Sequence, residues 1–207
     1  MARDIVVIKI GTGVLTSEKD GTLDEASLVR LVTSISELVA SGVPCVMVSS
    51  GAVGAGVSAL NLGGYPEDIA SRQACAAVGQ TRLMHAYENL FQKFRLNVAQ
   101  ILLTASDLDH ERPSNHVMDT LHRLLQEKNI VPIINENDTV AVQELRVGDN
   151  DMLSARVARL LNARLLVMLS TVDGLQGEDG SVITEVRDID SVSGHVRADH
   201  GKFSIGG

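Results

Sequence analysis

The feature that most constrains the fold is an alternation between short apolar runs and amphipathic stretches of helical period. The apolar runs are residues 5–10, 45–49, 98–103, 131–135 and 165–170. The first run is rich in β-branched residues and apolar on both of its faces, which is typical of a strand covered on both sides. Such strands separated by helices predict an α/β protein with a mainly parallel sheet.

The stretches between the runs carry apolar residues at helical spacing. One stripe extends from Leu28 to Val39, with Asp24 as a candidate start cap and Gly42 as a candidate stop. Further stripes lie at residues 83–94, 117–125 and 153–161. Residues 140–147 alternate apolar and polar side chains and predict a small hairpin or an ordered flap.

Composition narrows the classes of function. The chain has a formal net charge of −8, no basic cluster and few aromatic residues, so we expect no nucleic-acid surface. No apolar run approaches the roughly 20 residues of a membrane span, and the first residues lead directly into a strand. We therefore expect no signal peptide and a cytoplasmic location. Cys45 and Cys75 lie in apolar segments, which favours buried thiols over a disulfide or a metal site.

Lys9 lies at the end of the first buried run, and Gly11 and Gly13 follow this run directly. This pattern would place an ammonium beside an open backbone turn whose N–H groups can approach a phosphate. The alternative is an edge lysine that extends into solvent before an ordinary turn. The P-loop pattern GxxxxGK[ST] is absent from the chain.

A glycine-rich segment, residues 49–56, follows the second buried run and leads into a helix. Gly51, Gly54 and Gly56 would present N–H groups to an anion at the helix N-terminus. Their spacing does not match GxGxxG, which argues against a dinucleotide fold. The alternative is a tight turn whose glycines serve packing alone.

The fourth apolar run ends in Asn-Glu-Asn-Asp at residues 135–138. Ligands in open α/β sheets bind beyond the carboxyl ends of the strands, and these side chains suit a substrate ammonium or its polar tail. The alternative is a solvated loop with Asx turns.

A second polar segment, Gly-Asp-Asn-Asp at residues 148–151, precedes a predicted helix. Asp149 or Asn150 could simply be its N-cap. The segment could also orient cationic groups or a bound Mg²⁺-nucleotide.

Taken in order, these segments resemble the glutamate 5-kinases of the amino-acid kinase family over most of residues 5–175. The resemblance lies in "VVIKIGTGVLT", "VSSGAVGAG", "QACAAVGQTRLMHAYENLF", "NVAQILLT" and "VPIINENDTVAVQELRVGDNDMLSA". The paired NEND and GDNDxLSA segments separate this group from the acetylglutamate, aspartate, carbamate and nucleotide kinases of the family. The resemblance implies a three-layer α/β/α sandwich with a mainly parallel central sheet.

The resemblance also implies an activity. It is the Mg²⁺-dependent transfer of the ATP γ-phosphoryl group to the side-chain carboxylate of L-glutamate, which gives L-glutamyl 5-phosphate, the first intermediate on the route to proline. ATP and Mg²⁺ are the implied cofactors, with no direct metal ligation by side chains; proline is a candidate feedback inhibitor and a homo-oligomer is expected. Two alternatives stay open: another amino-acid kinase, such as acetylglutamate kinase, or a catalytically silent module that binds glutamate or proline.

Carried over by motif, the resemblance gives roles to individual residues. Lys9 and Asp151 are the implied catalytic residues, with Lys9 at the phosphoryl-transfer point and Asp151 orienting the catalytic lysines. The residues expected to bind glutamate are Ser50, Gly51, Asp138 and Asn150. The residues expected on the ATP side are Lys9, Gly11, Ser170, Thr171, Gly206 and Gly207.

The chain departs from the family pattern at three places. Residues 106–116 replace an arginine-rich segment, and Pro113 is expected to break the helix there. Thr171 stands where an aspartate is usual. Gly206 and Gly207 resemble the start of a loop that carries a second catalytic lysine. We therefore expect residues 1–207 to be an amino-acid kinase domain whose nucleotide-binding half lacks its C-terminal part, with no appended PUA domain.

Overall fold

The computed structural model describes residues 4–17, 22–141, 149–177, 179–188 and 190. In this part of the chain, five strands form one sheet in the order β3-β4-β2-β1-β5, and every neighbouring pair is parallel. The strands are β1 (Val6–Ile10), β2 (Cys45–Ser49), β3 (Asn97–Leu103), β4 (Ile130–Glu136) and β5 (Leu165–Leu169). The predicted strands and their parallel arrangement are confirmed. Most of the predicted hairpin at residues 140–147 lies outside the described residues.

Helices connect the strands. They are α1 (Thr12–Leu15), α2 (Glu25–Ala40), α3 (Ala52–Ala59), α4 (Ile69–Phe91), α5 (Ala105–Asp109), α6 (Glu111–Gln126) and α7 (Asp149–Leu160). The predicted start and stop of α2 are confirmed. The Asp24 carboxylate accepts hydrogen bonds from the N–H groups of Ala26 and Ser27, and Gly42, at φ +88°, follows the helix end.

The sheet lies between two helical layers, because side chains along the strands alternate between two cores. Ile8 and Ile10 of β1 pack in the core that includes buried residues of α2 and α4. Val7, between them in β1, packs in the core that includes buried residues of α6 and α7. Both faces of β1 are therefore dry, which explains its near-continuous apolar sequence. The three-layer α/β/α sandwich is confirmed.

Helices α3 and α4 approach each other closely through glycines. A Cβ atom on Gly56 would lie 1.9 Å from the carbonyl oxygen of Cys75, and one on Gly79 would lie 1.8 Å from that of Ala52. Only glycine fits at these two positions. For Gly56 the expectation of an anion-binding turn is wrong, because this residue lies more than a turn into α3 and serves helix packing.

The segment around Pro113 forms two helices, and the break falls before the proline. Helix α5 ends at Asp109, His110 is extended at φ −106°, and α6 begins at Glu111. Pro113 lies in the first turn of α6, where backbone N–H groups have no intrahelical acceptor to lose. The expectation that Pro113 itself breaks the helix is therefore wrong.

Candidate active site

The predicted site residues that the structure describes lie at one edge of the sheet. Because the strands are parallel, their carboxyl ends lie together. Lys9 is near the end of β1, Ser50 follows β2, and Asp138 lies in the partly buried turn after β4. The first turn of α7 adds Asn150 and Asp151. Four separate segments of the sequence therefore converge on the ends of the central strands.

Lys9 is a buried cation with a carboxylate partner. Its side chain is 2% exposed, and its Nζ lies 2.6 Å from Oδ1 of Asp151, whose side chain is 39% exposed. In the sheet, Lys9 is in register with Val48 on one side and Met168 on the other. The alternative of an edge lysine in solvent is therefore wrong. An ammonium removed from water is costly unless it is paired, so Asp151 holds Lys9 in place.

Helix N-termini without side-chain caps lie beside this lysine. Helix α1 begins after Gly11 and α3 begins after Gly51, and no side chain caps either of them. By contrast, Asp24 and Asp68 cap α2 and α4. The N–H groups of Thr12 and Gly13 in α1, and those of the first turn of α3, therefore keep their partial positive charge at the strand ends. The Val14 N–H instead donates to the carbonyl oxygen of Gly11 at 3.1 Å. Together with the Lys9 ammonium, the N–H groups that keep this charge suit a phosphate.

Gly11 and Gly51, which precede these two helices, have different structural roles. Gly51 has φ +96°, a left-handed conformation that glycine adopts readily, and it turns the chain from β2 into α3. Gly11 has φ −72°, and its N–H donates to the carbonyl oxygen of Leu169 at 3.0 Å. The Gly11 N–H thus extends the pairing of β1 with β5 and is not a donor for a phosphate.

Ser50 and Asn150 are joined by a hydrogen bond. Nδ2 of Asn150 donates to Oγ of Ser50 at 3.0 Å and to Oδ1 of Asn135 at 3.1 Å. Oδ1 of Asn150 is buried and has no hydrogen-bond partner among the described residues. The alternative in which the Asn150 side chain only caps α7 is wrong, because that side chain bonds to β4 and to the end of β2. The arrangement leaves one buried acceptor for a ligand.

Two residues of α4 that no motif in the sequence singles out hold the strand ends beside these groups. Gln80 of α4 accepts a hydrogen bond from Nδ2 of Asn135 at 2.8 Å. Tyr87 of α4 bonds through its hydroxyl to Oγ of Ser49 at 2.9 Å, and burial raises the pKa of Tyr87, which keeps the hydroxyl protonated. One signal was available for Gln80: a polar residue on the sheet-facing stripe of an amphipathic helix, where packing alone favours an apolar one.

The predicted nucleotide segment lies beyond the end of β5. Ser170 and Thr171 are both exposed. The Cγ2 atom of Thr171 lies 2.7 Å from the place that a Cβ on Gly13 would take, so this segment packs against α1. The structure therefore brings Thr171 close to the end of β1. Gly206 and Gly207 lie outside the described residues.

The two cysteines have the state that their apolar surroundings predicted. Cys45 and Cys75 are free and buried, as predicted, and burial raises the pKa of Cys45 to about 11, which disfavours a reactive thiolate.

In the described part of the chain, no three His, Cys, Asp or Glu side chains are grouped so that they could hold a metal ion. None of the described helices is both long and apolar enough to span a bilayer.

The chain is similar to known proteins over most of its length. A model of the amino acid kinase family matches residues 4–205. The glutamate 5-kinase of Geobacter sp. (strain M21) is 50% identical over 174 residues, which cover 84% of this chain and 46% of that protein. The glutamate 5-kinase of Clostridium acetobutylicum is 43% identical over 188 residues, which cover 91% of this chain and 70% of that protein. The chain spans about half the length of the first curated relatives that it matches.

A solved structure shares the architecture. The UMP kinase of Bacillus anthracis superposes with a TM-score of 0.54 at 16% sequence identity, over 84% of this chain and 68% of that one. At this identity the likeness shows the fold alone. It agrees with the arrangement of a parallel sheet between two helical layers.

Proposed function

The chain belongs to the amino acid kinase family, and on that premise we propose that it transfers the γ-phosphoryl group of ATP to the side-chain carboxylate of L-glutamate. The product would be L-glutamyl 5-phosphate, on the route to proline. The observation that carries the proposal is the buried Lys9–Asp151 pair beside the Ser50–Asn150 hydrogen bond. The names of the curated relatives support glutamate as the acceptor.

The proposed reaction needs positive charge more than it needs a base. A carboxylate is already ionised at neutral pH, so no proton has to be removed from the nucleophile. One carboxylate oxygen forms a bond to the γ-phosphorus, while the bond from that phosphorus to the departing ADP oxygen breaks. Catalysis then consists of positioning and of neutralising charge on the phosphoryl oxygens. The Lys9 ammonium and the first-turn N–H groups of α1 and α3 suit that work.

Asp151 would act through Lys9 and not on the substrate. Its Oδ1 lies 2.6 Å from Nζ of Lys9, so it fixes the ammonium at the end of β1. Burial of Lys9 in the sheet restricts the remaining freedom of that side chain. We infer that Asp151 orients the cation before the phosphoryl group arrives, which lowers the reorganisation needed during transfer.

The amino-acid side of the site would be formed by Ser50, Gly51, Asp138 and Asn150. At neutral pH the α-ammonium is the hydrogen-bond donor that glutamate offers, since both of its carboxylates are ionised. The buried Oδ1 of Asn150, which has no partner among the described residues, suits that ammonium. Asp138, in the turn after β4, would add negative charge on the same side.

The nucleotide would lie beside the ends of β1 and β5, along Gly11, Ser170 and Thr171. Family membership implies ATP as the phosphoryl donor, and the cation at Lys9 and the uncapped helices fit its phosphates. Mg²⁺ would enter with the nucleotide and would neutralise phosphate charge when bound. The contacts of Gly206 and Gly207 stay predictions.

The wider parts of the proposal also stay predictions. We propose one amino-acid kinase domain over residues 1–207, assembly as a homo-oligomer, inhibition by proline, and no nucleic-acid or membrane partner. Both cysteines are free thiols, as is usual in a reducing compartment, and this supports the proposed cytoplasmic location.

A coupled assay of ADP release tests the proposed acceptor. L-glutamate, N-acetyl-L-glutamate and L-aspartate would each be supplied with ATP and Mg²⁺. We expect release of ADP with L-glutamate and background release with the other two. Turnover of N-acetyl-L-glutamate in place of glutamate would identify a different amino-acid kinase. Binding of glutamate in calorimetry without any release of ADP would favour the silent binding module.

A further inference from the structure

A chain of amide side chains crosses the carboxyl edge of the sheet. Nε2 of Gln80 donates to Oε1 of Gln100, an exposed residue of β3, at 3.2 Å. Nδ2 of Asn135 donates to Oε1 of Gln80 at 2.8 Å, and Nδ2 of Asn150 donates to Oδ1 of Asn135 at 3.1 Å. The amides thus link α4 in one helical layer, through β4, to Asn150 of α7 in the other layer.

The direction of these hydrogen bonds is set at the backbone. The N–H of Glu136 can only donate, and it donates to Oδ1 of Asn135 at 2.9 Å. The NH₂ group of Asn135 must therefore point the other way, where Oε1 of Gln80 accepts it. Because Oδ1 of Asn135 also faces Asn150, the Asn150 amide turns its own NH₂ group toward Asn135. Its oxygen is then left as a buried acceptor with no partner in the part of the chain that the structure describes.

We propose that Gln80 is a positioning residue. It fixes which end of the Asn150 amide, the oxygen or the NH₂ group, faces the amino-acid substrate. By accepting from Asn135, it holds the orientation in which Asn150 presents an oxygen, and not an NH₂ group, to the α-ammonium of the substrate. The inference rests on the proposed function, since it takes the ligand to be an amino acid. Gln80 does not touch the substrate and acts through Asn135 and Asn150.

Burial makes Asn135 depend on Gln80. Asn135 is 2% exposed, so water cannot readily replace a lost acceptor. Without the Gln80 oxygen, the NH₂ group of Asn135 stays unsatisfied, which is costly. The amide can regain a partner only by turning over, and it then gives up its bonds to the Glu136 N–H and to Asn150. In either case the orientation of the Asn150 amide is no longer fixed, and neither is the position of its Oδ1 acceptor.

The position of Gln80 in α4 supports this role. Leu83 and Tyr87 follow it at about one and two turns, on the same face of the helix, and both are fully buried. An apolar side chain at residue 80 would continue this stripe. The glutamine is explained by its bonds to Asn135 and Gln100 and not by packing.

Calorimetric titration of the protein with L-glutamate and with glutarate tests the inference. Glutarate keeps both carboxylates and lacks the α-ammonium. Gln80→Met keeps the side-chain length without an acceptor of comparable strength, and Gln80→Glu keeps an acceptor oxygen. Gln92→Met makes the same change at the exposed C-terminal end of α4 and is the matched control.

We expect Gln80→Met to weaken glutamate binding about tenfold, as for a buried donor left unsatisfied, and to leave glutarate binding within about twofold. Gln80→Glu and Gln92→Met should bind glutamate nearly as wild type does. Equal weakening of both ligands, or unchanged glutamate binding, in Gln80→Met would overturn the inference. If Gln80→Met does not fold, Gln80→Glu decides, since loss of its glutamate affinity would also overturn it. Wild-type protein that binds no glutamate would instead overturn the proposed function, and the inference with it.

Discussion

Replacing Asp151 with asparagine removes the carboxylate charge that pairs with Lys9. The variant therefore tests what this ion pair contributes to stability. The Lys9 side chain is 2% exposed and the Asp151 side chain is 39% exposed. Removing the carboxylate charge leaves an ammonium that water cannot reach. Removing the ammonium instead leaves a carboxylate that is partly exposed to water, although its Oδ1 is buried. The two single variants should therefore differ in stability, although they break the same 2.6 Å contact.

The size of the difference follows from burial. Removing one partner of a buried ion pair costs about 3–5 kcal/mol, and the partial exposure of Asp151 places Asp151→Asn lower, at about 2–3 kcal/mol. For a chain of 207 residues, this corresponds to a fall in Tm of about 4–12 °C. Lys9→Met removes the buried charge itself and leaves a partly exposed carboxylate, so it should cost less than Asp151→Asn. The double variant should resemble Lys9→Met.

Urea denaturation followed by far-ultraviolet circular dichroism measures these free energies of unfolding, since the chain has no tryptophan to serve as a fluorescent reporter. Equal m-values across the four proteins would show that the variants unfold from comparable states. An Asp151→Asn variant as stable as wild type, or one more stable than Lys9→Met, would refute the claim that Asp151 compensates a desolvated ammonium.

Three further substitutions test the packing of α3 against α4, the Asp24 cap of α2 and the hydrogen bond of the Tyr87 hydroxyl. Gly79→Ala should lower the Tm markedly, because its Cβ would lie 1.8 Å from a backbone oxygen of α3. Gly63→Ala is the control, since a Cβ there meets nothing within 4 Å. Equal Tm values for the two variants would contradict the packing argument. The pKa of Asp24 is lowered chiefly by the Ser27 hydroxyl, so its stabilising effect is present above the ordinary pKa of 3.8 and is lost as pH falls through the folded-state pKa. Asp24→Asn should therefore weaken the acid dependence of the Tm, and an unchanged profile would argue against it. Tyr87→Phe should lower the free energy of unfolding in urea by about 1 kcal/mol, and no loss would show that its hydroxyl bond contributes nothing net.

The fold could be predicted because strands that are buried on both faces have a near-continuous apolar sequence. Residues 45–49 form β2 with the boundaries that the apolar run predicted, and the other strands begin or end within one residue of their runs. The helix stripe at residues 83–94 was less accurate. Phe94 is 42% exposed, because α4 ends at Phe91 and the 3-10 turn that follows changes the period.

The candidate site was predictable only where residues of special chemistry stand at strand ends. Lys9, Ser50, Asn150 and Asp151 were named from their motifs, and the structure joins them in two contacting pairs. Gln80 was missed because its partner, Asn135, is distant in sequence, and local patterns do not encode that contact. Gly56 was misassigned because a glycine that packs two helices looks the same in sequence as a glycine in a turn.

The most direct test of the proposed reaction follows an oxygen atom. L-glutamate carrying ¹⁸O in its side-chain carboxylate would be incubated with the protein, ATP, Mg²⁺ and hydroxylamine, and the released phosphate would be examined by phosphorus NMR. Attack of the carboxylate on the γ-phosphorus makes a labelled oxygen the bridge of an acyl phosphate. Hydroxylamine then attacks the carbonyl carbon, so the bridging oxygen leaves with the phosphate. We predict phosphate that carries one ¹⁸O atom, together with glutamyl hydroxamate. Unlabelled phosphate without hydroxamate would show that water accepts the phosphoryl group and would contradict the proposed function.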